Sequence, residues 1–290
     1  MTYKKKQYHS DRAKAVADIT AKLEKGVVDV FNSDNYKQYL STMSRFHSYS
    51  FKNSLLIYMQ KPDATLVAGY QSWIKDHKRH IKPGEKGIRI LAPCPYKSKM
   101  VKEEHPDVED DKGKGRTVEI TQMYFKPVAV FDISQTEGED LPEICHNLTG
   151  GTDNYDQFLD ILCRTAPVPV VFDNLPGGAS GCYSDTNRQI TIQKDMPQAQ
   201  TLKTLVHEIT HSVLHAGEAF DETDRRTKEV QAESTAYVVC CYYGLDTSDY
   251  SFGYIAGWSS DKDIKELKAS LEVIRDTADK LITEIDRQLR

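Results

Sequence analysis

What the 290-residue sequence lacks narrows the field first. It has no run of eighteen apolar residues, so no segment is expected to cross a bilayer as a helix. The opening MTYKKKQYHSDRAK is basic but carries no apolar stretch of the kind a secretory signal needs, and the expected location is the cytoplasm. Cysteine is sparse and badly spaced for chemistry. The six (Cys94, Cys145, Cys163, Cys182, Cys240 and Cys241) form no C-x-x-C pair, and two are adjacent, which excludes a zinc ribbon and suits no disulfide framework. They read as reduced, small, mostly buried hydrophobes.

What is present is an ordinary globular composition, 39% apolar and 28% charged, in a length that favours two domains. The formal charge of -5 hides an asymmetry. Residues 1–100 hold 19 Lys and Arg against 8 Asp and Glu, a balance of +11, and the remainder holds 19 against 35, or -16. A basic half with interleaved aromatics is the footprint of a nucleic-acid binder, whereas an acidic half would repel phosphate.

The densest chemical signal lies in the acidic half, at Thr201 to His215, TLKTLVHEITHSVLH. His207 and His211 stand four apart in an H-E-x-x-H pattern, and on a helix residues four apart share a face roughly 6 Å apart. Two neutral imidazoles can then bind one zinc ion, with Glu208 beside them as the base for its water. Leu202, Leu205, Val206, Ile209 and Val213 give the helix its apolar body, and Gly217 marks its stop. His215 continues the spacing, but eight residues of helix rise about 12 Å, which excludes it as a ligand of the same ion as His207. A second helix, RTKEVQAESTAYVVCCYY from Arg226 to Tyr243, presents Glu229 and Glu233 on one face and is closed by Gly244. Either carboxylate could complete the tripod.

The basic half begins with a helix to about Phe31, capped by Ser10 or Asp11, followed by helices near 35–46 and 51–60. Between the latter two, SRFHSYSFKNS gathers Arg45, His47, Tyr49, Lys52 and Asn53, cations and rings of the kind that single-stranded DNA meets with its phosphates and bases. Farther on, Tyr70, Trp73, Lys78, Arg79, Lys82 and Lys86 continue that character through a Pro83-Gly84 turn. Strands follow near 88–92 and 117–133 and are expected to pair, with a mobile charged loop over 97–117 between them. The first domain is placed at 1–135, a linker at 136–150 and the second domain at 151–290.

Within the second domain, Ile190 and Ile192 alternate with polar residues as in an edge strand, which could hold an extended peptide by strand addition. Tyr183, Tyr250 or Tyr254 could hydrogen-bond a reacting carbonyl, with core packing the default role of each. The last segment carries a helical stripe, Ile264, Leu267, Leu271, Ile274, Ala278, Leu281 and Ile285, suited to packing on its own domain.

Three further runs carry a family resemblance: NSLLIYMQKPDATLVAGYQSWI, KPGEKGIRIL and PVAVFDISQTEG, joined by HEITH and EVQAE. Together they resemble ArdC-type (LtrC-like) antirestriction proteins of plasmids and integrative elements. The resemblance implies an α+β chain of two domains, an N-terminal helical plus β-hairpin/sheet module that binds single-stranded DNA and a C-terminal zincin-like, ImmA/IrrE-type metallopeptidase. It further implies Glu229 as the third zinc ligand, leaving Glu233 to support a ligand histidine. The expected partners are single-stranded DNA and an unidentified protein or peptide substrate. The rival expectation is a DNA-masking protein whose zinc is only a structural clasp, against which Glu208 argues because a clasp needs no base.

Overall fold

The computed structural model describes residues 2–102, 116–141, 151–217, 223–245, 247, 250 and 252–290. Three helices open the chain: α1 (Thr2–Val30), α2 (Ser33–Arg45) and α3 (Phe51–Gln60). Asn32 caps α2 by accepting from the Asp34 N–H, and Ser50 caps α3 by accepting from the Asn53 N–H. The cap expected at Ser10 or Asp11 is not there. The helix runs through both residues from Thr2, since neither Ser nor Asp is prohibitive inside a helix.

The strands β1 (Val67–Gly69), β3 (Ile88–Lys102) and β4 (Arg116–Asp132) form an antiparallel sheet in the order β1-β4-β3, and a short helix, α4 (Tyr70–Lys75), follows β1. The β3–β4 ladder is unbroken from Ile88↔Val130 to Lys102↔Arg116. Residues 97–102 and 116–117, expected as loop, are therefore strand, because cross-strand pairing carries polar sequence into a ladder; residues 103–115 lie outside the described residues. A second pair joins β2 (Arg79–Ile81) to β5 (Thr136–Gly138), so the stretch expected as linker begins as strand, and 142–150 lies outside the described residues.

The run PVAVFDISQTEG owes its sequence to the turn after β4. The buried Asp132 carboxylate accepts from the backbone N–H groups of Thr65, Leu66 and Ser134, while Gln135 reaches back to the Asp132 N–H. Gly138 sits at φ 141, where an added Cβ would meet the Lys78 carbonyl oxygen at 2.6 Å.

The C-terminal half continues with α5 (Gly151–Thr165), β6 (Val170–Asp173), β7 (Gly181–Ser184), β8 (Gln189–Gln193), α6 (Gln198–Leu214), α7 (Arg225–Tyr242), α8 (Ile255–Ser259) and α9 (Ile264–Leu289). Its sheet runs β6-β8-β7, with β8 parallel to β6 and antiparallel to β7. This corrects the edge-strand expectation: the 189–193 strand is central, burying Ile190 and Ile192 completely, and the edge beside α6 is β7. Alternation reports a covered face and not a place in the strand order.

One apolar core spans most of the molecule. Leu23, Val27, Tyr36, Leu40, Met43 and Leu55 of the first three helices join Phe158, Leu205, Ile209, Val238, Leu271 and Ile282 of the C-terminal half. The ring of Tyr36 stacks on Phe31 and meets Phe252 edge-on, and its hydroxyl lies 2.8 Å from Ser234 Oγ on α7. A smaller core of Phe46, Ile57, Val67, Ile88, Ile90 and Val130 supports the β1-β4-β3 sheet. The stripe on α9 is buried from Leu267 onward, with Ile264 half-buried, and that helix packs on α7, α5 and α1. None of the described helices is long and apolar enough to cross a membrane.

Candidate metal centre

The buried side of α6 holds it against α7 through Leu202, Leu205, Val206 and Ile209, which fixes the outward face bearing the two histidines. Gly217 at φ 61 follows the end of α6, and Gly244 at φ 70 follows α7, as glycine's freedom in the left-handed region allows. Asp224 begins α7 by accepting from the N–H and hydroxyl of Thr227, and it also takes the ammonium of Lys262 at 3.0 Å. Its carboxyl is held down to about 2, burial opposing and these hydrogen bonds prevailing.

Across this pair of helices, one donor atom each from His207, His211 and Glu229 falls within 4.8 Å of the others. His207 Nε2 lies 3.0 Å from His211 Nε2, and Glu229 Oε2 lies 3.6 Å from the former and 3.8 Å from the latter. A tetrahedral ion with bonds of 2.0–2.2 Å spaces its ligands about 3.4 Å apart, so the three donors fit one zinc with small adjustment. The Glu229 carboxyl is held far below its usual range by His207 and His211. For His207, burial pulls the pKa down but the carboxylates of Glu229 and Glu233 outweigh it, and the ring is pushed up to about 10.

Behind the ligands the two histidines differ. His207 Nδ1 faces Glu233 Oε2 at 3.2 Å. His211 Nδ1 faces His215 Nδ1 at 3.0 Å, and His215 Nε2 lies 3.0 Å from Gln231 Oε1 on α7. His215 occupies the C-cap of α6, outside the ligand set, and burial, with Gln231 opposing it, lowers its pKa to about 4.

Glu208 is buried, and burial raises its pKa above the usual carboxyl range against the pull of His207, His211 and the Tyr183 backbone. The strand β7 lies directly over it. A Cβ at Gly181 would meet Glu208 Oε1 at 2.9 Å and Thr204 Cγ2 at 2.5 Å, so only glycine permits this approach. A cavity of about 160 Å³ opens beside His207, lined by Gln200, Lys203, Thr204, Glu233 and Tyr250. Of the three candidate tyrosines, Tyr183 donates its hydroxyl to Asp185 and Tyr250 walls the cavity. Tyr254 keeps 45% of its surface exposed, and its phenol is pushed up by partial burial and then by the charges of Glu233 and Glu229.

The residues expected to contact DNA divide in two. Trp73 is fully buried and donates its indole N–H to the Phe131 carbonyl, leaving no face for a base. Arg79 is buried at the start of β2, opposite Gly138 of β5, and donates to Thr136, Gly138 and Glu139. Asn53 pairs its amide with both backbone groups of Leu91, Arg45 ties α2 to the Pro62 and Ala64 carbonyls, His47 meets Asp279 on α9, and Tyr49 donates to the Val67 carbonyl. These contacts tie the six to the rest of the protein, Arg45 while remaining exposed. Tyr70, Lys52, Lys78, Lys82 and Lys86 are exposed, with Lys78 opposite Glu139 at 3.7 Å and Lys82 donating to the Ser134 carbonyl. Sequence reasoning missed Gly181 and Gln231, whose only signal is their position against α6 in space.

Comparison with known proteins gives two family matches. Residues 10–131 match the N-terminal domain of anti-restriction factor ArdC, and residues 163–279 match the IrrE N-terminal-like domain of the M78 peptidases. An uncharacterized protein of Bacillus anthracis is 27% identical over 327 residues, covering all of this chain and 55% of its own length; the chain thus spans about half of that relative. The metal-free crystal structure of the antirestriction ArdC protein from plasmid R388 superposes with a TM-score of 0.51 at 19% identity, covering 82% of this chain and 84% of that one. The Mn(II)-bound structure of the R388 protein gives 0.47 at 19% identity, over 82% and 83%.

Proposed function

Because this chain belongs to the family that joins an ArdC N-terminal domain to an IrrE-like domain, we propose that it is a mobile-element antirestriction-type protein which binds single-stranded DNA and cleaves peptide bonds with zinc. The observation that carries the hydrolytic part is the convergence of His207, His211 and Glu229 with a buried Glu208 beside them. When bound, zinc supplies a Lewis acid and a water whose pKa falls to about 7. His207, His211 and Glu229 hold it, and Glu233 keeps the His207 ring oriented through Nδ1. Glu208 takes a proton from the attacking water at its carboxylate and returns it to the leaving amine, work suited to a carboxyl whose pKa burial has raised. The exposed edge of β7 aligns an extended peptide over Glu208 by strand addition, and Gly181 keeps that strand close.

For the nucleic-acid part, the support is the +11 balance of residues 1–100 and the exposed Tyr70, Lys52, Lys78, Lys82 and Lys86. A peptide library digested by zinc-loaded protein, with a chelated sample beside it, tests the hydrolytic reading. New termini only in the loaded sample support it. Silence in both, with single-stranded DNA binding intact, favours the masking protein with a structural clasp.

A further inference from the structure

We propose that His215 and Gln231 form a neutral relay that fixes the tautomer of His211 and thereby makes its Nε2 a metal donor; the proposal rests on the zinc site inferred above. The argument starts at Gln231, whose Oε1 carries no hydrogen and can only accept. The ring nitrogen 3.0 Å from it, His215 Nε2, must then be the N–H. His215 is 2% exposed, and with Nε2 turned to Gln231 its other nitrogen, Nδ1, is the one left to offer a lone pair to His211. That lone pair stands 3.0 Å from His211 Nδ1, a contact that is a hydrogen bond only if His211 carries its proton on Nδ1. The remaining nitrogen of His211, Nε2, is then bare and faces His207 Nε2 and Glu229 Oε2. Turning the Gln231 amide over would reverse every step and leave a proton on the atom that must bind metal.

The two ligands are thus oriented by different means, His207 by the charged Glu233 and His211 by two uncharged groups. The chemistry of the site gives a reason. Glu208, Glu229 and Glu233 already converge there, and a fourth carboxylate behind His211 would add like charge to a partly buried cluster. The relay also ties the last turn of α6 to α7 through buried groups, so the ligand-bearing faces of the two helices keep one separation. His215 leaves the helical backbone at φ -122 and ψ 28, just before the left-handed Gly217, whose N–H donates to Asp185 Oδ1 at 3.1 Å.

Competitive zinc titration of the full chain against a chromophoric chelator tests this positioning role without recourse to activity. Gln231→Leu removes the acceptor and is expected to weaken zinc by about 10- to 100-fold, as loss of a partner behind a ligand histidine generally does. Gln231→Glu, which still accepts from His215 Nε2–H but adds a fourth carboxylate, is expected to bind zinc more tightly than Gln231→Leu and more weakly than wild type. Long-range ¹H–¹⁵N spectra of the zinc-loaded wild type should show His211 protonated at Nδ1 and His215 at Nε2. Wild-type zinc affinity in a folded Gln231→Leu protein, or a His215 protonated at Nδ1, overturns the relay and leaves the metal site standing. Should Gln231→Leu not fold, the spectra still decide. A wild-type chain that binds no zinc removes the underlying site instead, so the two failures are distinguishable.

Discussion

Alanine at Gly181 is expected to cost the fold about 1–3 kcal/mol, the usual range for overpacking, and to depress peptide cleavage while leaving zinc affinity unchanged. Gly181 has no left-handed backbone to be strained, so the effect is steric alone. The added Cβ would lie 2.5 Å from Thr204 Cγ2 and 2.9 Å from Glu208 Cγ, where carbon pairs prefer about 3.5–4.0 Å. Neither neighbour yields easily: a threonine on a helix has few side-chain rotamers, and Glu208 is buried. The strand β7 must therefore move outward, which stretches the hydrogen bond between the Tyr183 backbone and the Glu208 carboxylate and misplaces the edge that is to carry the peptide. Urea unfolding followed by tryptophan fluorescence, zinc titration and a cleavage assay on the same preparation measure the three effects. A Gly181→Ala protein that unfolds at the wild-type urea concentration and cleaves at the wild-type rate refutes the packing argument.

Glu229→Ala is expected to abolish tight zinc binding and Glu233→Ala to lower affinity only about 10- to 100-fold, with zinc titration of both variants deciding and the reverse ranking exchanging their roles. In the metal-free protein, His207 is raised to about 10, so the stability it contributes is complete below about 6.5 and is lost as pH rises through 10. Zinc must displace that proton; calorimetry at pH 8 in buffers of different ionisation enthalpy should register its release, and affinity should fall as pH falls. Trp73→Ala should destabilise by about 3–5 kcal/mol in thermal or urea unfolding, as loss of a core ring does, with any effect on DNA following from unfolding. Binding of single-stranded DNA to the full chain should weaken with salt, log affinity falling by about 0.7 per phosphate contact for each unit of log salt; a flat anisotropy series removes the electrostatic reading.

The parts of the site that are local in sequence were legible. His207 and His211 meet because helix geometry alone puts residues four apart on one face, and Gly217 and Gly244 mark helix ends for reasons confined to their own φ. The α2 and α3 helices and the pairing of the 88–92 strand with the later one were readable from apolar spacing and β-branched runs, whereas the caps at Asn32 and Ser50 were not. What failed to show was everything decided by distant partners. A cation beside an aromatic reads alike whether it meets DNA or, as with Arg79 and Trp73, satisfies backbone carbonyls of its own chain. Strand order is not encoded in alternation, which is why the central β8 passed for an edge. Nor could the spacing of Tyr36 and Ser234, 198 residues apart, announce that the first helices share a core with the metal-bearing half. Helical rise keeps His215 apart from the candidate ligand set, but its contact with Gln231 depends on the packing of α6 on α7.

The central claim, that Glu208 stands beside a zinc site built for hydrolysis, is tested most directly by Glu208→Gln, with zinc content and peptide cleavage measured on one preparation. The account predicts one zinc per chain in both proteins, cleavage in the wild type and none in the variant, with single-stranded DNA affinity unchanged. Equal cleavage by wild type and Glu208→Gln at equal zinc content would contradict it.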